Sequence, residues 1–191
     1  MVHYQKVLDF WFGKPNNPEY GQQRKVWFIK NTAFDEEVRS HFLEIYNQAA
    51  QGKLDAWREY PLGCLALIII LDQFPRNMFR NTPQAFATDA QALQIAQKAV
   101  DRNFDQPLLP VQRWFVYLPF EHSENLHHQK LCLELFSQLE HDPQSASTIE
   151  YAYKHKVVIE RFGRFPHRNK ILNRESTKEE KDFLSQPGSS F

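Results

Sequence analysis

The stretch PLGCLALIIILDQFPRNMFR, Pro61 to Arg80, decides the fold. Its apolar half has no clean period, so it suits a buried strand or a buried helix equally well. Three features favour helix. Pro61 is placed to open one, Leu and Ala dominate the first half, and the neighbouring segments carry helical spacing. The Ile triplet, Ile68 to Ile70, is the feature that pulls towards strand.

Helical spacing recurs on both sides. Val7, Phe10 and Trp11 share one face of a first helix that Gly13 and Pro15 end, and RKVWFI suggests a short second one. Phe34, Val38, Phe42, Ile45 and Ala49 step by four, four, three and four, with Gly52 as a C-terminal cap. TDAQALQIAQKAVDRN reads as a helix capped by Thr88 or Asp89, with Leu93, Ala96 and Val100 on one face. PVQRWFVYLPFEHSENLHHQKLCLELFSQLE predicts a helix broken near Pro119 and a second from about Ser123. IEYAYKHKVVIERFG predicts another, with Tyr151, His155, Val158 and Phe162 on one face. Ser176 and Glu179 form a capping box for the last helix, and the tail is polar except for Phe191. No stretch alternates as a strand and no linker appears. The expectation is one all-α domain over residues 1–191, built of antiparallel helical hairpins, without a repeat of fixed period.

Composition limits the function classes. The chain has 191 residues and a formal net charge of zero, so no global field draws nucleic acid or an anionic membrane. The longest apolar run, CLALIIIL, falls far short of the ~20 residues of a membrane span. Cys64 and Cys132 lie in apolar runs without a partner at metal spacing. They read as free buried thiols of a reducing compartment, so a cytoplasmic protein is expected. There is no Gly-x-Gly-x-x-Gly, Walker A, Gly-x-Ser-x-Gly or Cys-x-x-Cys motif. No cofactor or metal is expected.

Charge placement is more informative. From Arg161 to Arg174 there are five cations (Arg161, Arg164, Arg168, Lys170, Arg174) and no carboxylate, and His167 and Asn169 lie among them. Between Asp72 and Asp89 come Arg76, Asn77 and Arg80, again with no carboxylate. The two segments share Phe-Pro followed by Arg-Asn. Arg presents a planar fork to carboxylate or phosphate. Asp72, Arg76, Asn77, Arg80, Arg161, Arg164, His167, Arg168 and Asn169 are therefore candidate ligands for a small anion. The competing reading makes them structural: Arg76 paired with Asp72, and Arg161 or Arg164 paired with Glu121 or Glu124. Glu121, His122, Glu124 and His155 are candidates for proton transfer, since an ordinary imidazole titrates near ~6.5. Glu124 and His127 have the Glu-x-x-His spacing of di-iron bundles, but no second copy exists. The two Phe-Pro/Arg-Asn segments and FEHSE are expected to meet in space. The expected partner is a small anionic molecule, or another protein if the chain is a helical scaffold.

VLDFWFG, LALIIILDQFPRNMFR with AFATD, YLPFEHSE, and RFGRFPHRN with STKEE and FL together resemble the bacterial domain of unknown function 924 family. The resemblance runs from about Val7 to Phe191. It implies an all-α fold related to tetratricopeptide-like helical arrays and brings no reaction or catalytic residues with it. There is no clear departure from the family's pattern; Asn81, where glycine is common, is a minor difference.

Overall fold

Pro75 shapes the segment that decides the fold. In the computed structural model, which describes residues 3–189, this segment is helical from Pro61 to Met78. Helix α3 (Pro61–Ile68) passes into a π-helical turn over Ile69–Gln73, and α4 (Phe74–Met78) continues from it. Proline has no N–H, and its ring clashes with the carbonyl four residues back. Here that carbonyl is Leu71, and it accepts instead from the Thr88 hydroxyl at 2.6 Å. The Phe74 N–H reaches back five residues to Ile69, which is the widened π register. Residues Cys64 to Pro75 are buried, so the Ile triplet lies in the core as helix.

The other elements are α1 (Gln5–Phe12), α2 (Thr32–Ala50), α5 (Asp89–Asp101), α6 (Pro110–Glu121), α7 (Leu126–Ser137), α8 (Ala146–Phe162) and α9 (Lys178–Leu184). Among the described residues there is no strand. The chain is all-α. Helix α3 packs against α1, α5 and α6, while α5, α6 and α7 each pack on the next in sequence. One apolar cluster, including Trp11, Phe42, Phe74, Trp114, Phe115 and Phe136, joins α1 to α7. A smaller one holds Val158, Ile159 and Phe165 under the C-terminal segment. Among the described residues no helix is long and apolar enough to cross a membrane.

Most of the faces read from the sequence are the buried ones. Phe34, Val38, Phe42, Ile45 and Ala49 all face the core, and Gly52 follows α2 with φ 74°, the left-handed conformation of a helix stop. Several local expectations are corrected. RKVWFI makes only a single 3-10 turn, Lys25–Trp27. Tyr151 points to solvent while His155 and Val158 are buried. The last helix is capped one residue later than expected, by Thr177 and Glu180, which satisfy each other's backbone N–H groups. Thr88 spends its hydroxyl on Leu71 and does not cap α5. Helix α6 continues through Pro119 to Glu121, and Asn125 caps α7 by accepting from the N–H of His127 and His128. Asn81 has φ 64°, a region that glycine enters freely and asparagine tolerates better than most residues. That accounts for both choices at this position. Phe191 lies outside the described residues.

Candidate functional site

The end of α6 is held by Gln129 of α7, which is fully buried. Its amide donates to the carbonyls of Phe120 (3.2 Å), Glu121 (2.6 Å) and Ser123 (2.8 Å). This fixes Glu121 and His122 against the π turn. There Asp72, fully buried, accepts from the Gln73 amide at 2.5 Å and from His122 Nδ1 at 2.8 Å. A carboxylate only accepts, so Nδ1 carries the hydrogen and Nε2 keeps the lone pair. Arg76 approaches the same carboxylate at 3.4 Å and donates to the Asp72 carbonyl at 2.5 Å. Burial would raise the Asp72 pKa, but Arg76 and His122 outweigh it and hold the group below the usual carboxylate value. Burial, helped by Arg76, lowers the His122 pKa against the pull of Asp72. The imidazole is thus neutral near pH 7, oriented, and basic at Nε2.

Arg168 comes from the C-terminal basic segment to the same place. Its guanidinium lies between the rings of Phe86 (4.8 Å) and Phe165 (4.5 Å). Nη1 donates to the His122 carbonyl at 3.0 Å, Asp89 stands 3.7 Å away, and Nε has no hydrogen-bond partner. Burial and then the Arg76 charge lower its pKa to about 10, so it stays a cation at neutral pH. Asp89 is also gripped by Arg76 through two bonds of 2.8 and 3.0 Å.

Glu121 faces inward. Its Oε1 lies 3.4 Å from His155 Nδ1, which donates to the Tyr151 carbonyl at 2.8 Å, and its Oε2 has no partner. Burial, then the Asp72 charge, pushes the Glu121 carboxyl up to about 8. Burial lowers His155 to about 3. His167, beside Phe165, falls to about 4 through burial and then the Arg168 charge. At neutral pH this pocket of the core holds a protonated acid and neutral imidazoles.

The structure therefore brings together Asp72, Arg76, Glu121, His122, His167 and Arg168, from both Phe-Pro/Arg-Asn segments and FEHSE, with His155 from α8. Other candidates go elsewhere. Asn77 and Arg80 bind Asp35 of α2, at 2.8 Å and through two bonds of 2.8 and 2.7 Å. Arg164 pairs with Glu180 through bonds of 2.6 and 2.8 Å, and Asn169 donates to the same carboxylate at 3.2 Å. Arg161 pairs with Glu179 at 2.8 Å. The partners anticipated for Arg161 and Arg164 were Glu121 and Glu124, and neither is used. Glu124 is instead fixed by Arg174 (2.6 and 2.9 Å) and by the Phe165 N–H at 2.8 Å. Arg161, Arg164 and Arg174 thus each have a carboxylate. Sequence reasoning missed Asp35, Asp89, Glu179 and Glu180 as counter-ions, and Phe86 and Gln129 as positioning residues. The long carboxylate-free runs were the signal that counter-ions had to come from a distance.

An all-helical protein with a buried Asp–His–Arg cluster at a π turn is the class these observations define. The chain belongs to the family described as bacterial protein of unknown function (DUF924), whose model matches residues 7–188. It is similar to a solved structure, that of the protein of unknown function ATU0120 from Agrobacterium tumefaciens. The two are 39% identical with a TM-score of 0.84, over 95% of this chain and 96% of that one. No curated protein matches the chain.

Proposed function

We propose that the Asp72–His122–Arg168 cluster binds a small anionic carboxylate or phosphate compound in the cytoplasm, and that His122 exchanges a proton with it. The observation that carries this reading is the 2.8 Å bond from His122 Nδ1 to a fully buried carboxylate. Such a bond orients the ring and leaves Nε2 as a base, the arrangement that general base catalysis needs. Arg168 supplies the cation, since its hold on Asp89 is long and its guanidinium is fixed on the carbonyl of the same histidine. Thermal-shift measurements with small mono- and dicarboxylates test the reading, on wild type, His122→Asn and Arg168→Lys. A saturable shift in the wild type that both variants lose is expected. A panel that leaves the wild type unmoved counts against it.

A second reading, a helical scaffold that binds another protein, is favoured by a different observation. Arg76, Arg80, Arg164 and Arg174 are each committed to a carboxylate, so those arginines need no ligand. Helix α8 also presents Tyr153 and Val157, one turn apart, to solvent.

A further inference from the structure

A second positively charged site lies apart from the His122 cluster and shares no residue with it. Between the 3-10 turn Asp55–Glu59, the start of α3 and one face of α5 is a cavity of about 180 Å³, lined by Arg58, Glu59, Cys64, Ile95, Lys98 and Arg102. Ile95, Lys98 and Arg102 follow helical spacing, so α5 and its C-terminal cap residue form one continuous wall. Three cations face one carboxylate. Arg58 reaches Asp55 at 2.9 Å through Nη2, while its Nε is buried without a partner. Arg102 is held in place by stacking on Phe104 (4.2 Å) and by the Arg58 carbonyl at 3.2 Å. Its contact with the exposed Glu59 is long, at 3.4 Å. Counting Asp55 as well as Glu59, the cations still outnumber the carboxylates. The Cys64 thiol donates to the Arg58 carbonyl at 3.2 Å, so the apolar floor of the cavity is a thiol and an isoleucine. Burial pushes this thiol up to about 11, so it is a wall and not a nucleophile.

We propose that this cavity is a binding site for a small oxyanion of the phosphate type, held by Lys98, Arg102 and Arg58. Drug-sized ligands occupy pockets of about 300–1,000 Å³, so this one excludes a nucleotide and suits a single compact anion. Fixed guanidinium groups beside an ammonium are the donors that phosphate oxygens require. The proposal is independent of the function argued above.

The test is the melting temperature of the full chain titrated with inorganic phosphate in a non-phosphate buffer, with sodium chloride at matched ionic strength as control. The wild type is expected to show a saturable rise that chloride does not reproduce. Lys98→Glu and Arg102→Gln, both at exposed side chains, are expected to fold with unchanged circular dichroism and to lose the rise. His122→Asn is expected to keep it. A rise that survives in Lys98→Glu but disappears in His122→Asn places phosphate at the other cluster and overturns the proposal. An equal rise with chloride reduces the effect to screening and overturns it too. An equal rise with adenosine monophosphate shows an open surface contact, not an enclosed site, and is equally fatal.

Discussion

Replacing Glu121 by Gln should change the pH dependence of stability in a defined direction. Burial and the Asp72 charge move this carboxyl from 4.5 up to about 8 in the folded protein. Between those two values the folded protein holds a proton that the unfolded chain has released. Stability therefore falls as pH rises through this window and levels off above the folded value. The slope for one group is about 1.4 kcal/mol per pH unit. Over the whole window the penalty is at most about 5 kcal/mol. Glutamine does not titrate, so the variant lacks this slope. Its amide would place an N–H₂ where Oε2 now has no partner, a cost of about 1–3 kcal/mol that does not depend on pH. The slope is thus the diagnostic and the offset is not. His122, His155 and His167, whose pKa values burial lowers, cost stability as pH falls below 6.5. Both proteins share that term, so it cancels in the difference. Urea melts of both proteins at constant ionic strength, from about pH 5 to about pH 8, measure the difference directly. The variant should gain several kcal/mol on the wild type across that range. Parallel stability curves would refute the argument, because they would mean that Glu121 ionises as an ordinary exposed carboxyl.

Thr88→Val removes the hydroxyl that serves the Leu71 carbonyl, leaving a buried acceptor unpaired, and should cost about 1–3 kcal/mol in a urea melt. Arg164→Ala should lower the melting temperature clearly more than Arg161→Ala. The first strips the counter-ion from Glu180, a buried carboxylate that also caps α9, whereas the Arg161–Glu179 pair is exposed on both sides.

How much of this was legible in the sequence depends on the range of the interaction. The helix over Pro61–Ile68 follows from Pro61, Leu and Ala, because propensity and capping act within a few residues. The π turn does not, since it needs Pro75 to displace a carbonyl and a distant Thr88 to receive it. The cap of α9 was misplaced by one residue because Ser176 and Thr177 both precede a glutamate by three, and only the bond from the Glu180 N–H to the Thr177 hydroxyl decides between them. Pro119 was read as a break, but its helix is walled in by buried residues, and tertiary packing outweighs the lost hydrogen bond. Within the site, the meeting of the two arginine segments with FEHSE was legible as an imbalance of charge. Which arginine took which carboxylate was not. Asp35 lies 45 residues from Arg80, and Glu180 lies 16 from Arg164, and no local pattern marks either as the partner.

The placement of Asp72 and Glu121 is the strongest physical reason to look for chemistry at this cluster. A core selected for stability alone has no use for a carboxyl that must hold its proton at neutral pH beside a second, ionised one. A residue of similar shape without the charge would remove the penalty worked out above. The π turn compounds the point. It gives up regular helical bonding at Asp72 and Gln73, the two residues whose side chains then meet, and it places that carboxylate on His122. Such turns occur frequently at functional sites. The arginines that only lock the structure together look different: Arg80 and Arg164 sit on single, well-formed carboxylate pairs. Arg168 is the exception, a cation held between two rings and set on the backbone of the one histidine whose basic nitrogen is oriented by a buried acid. That contrast within one family of side chains separates the stabilising pairs from the proposed binding cluster.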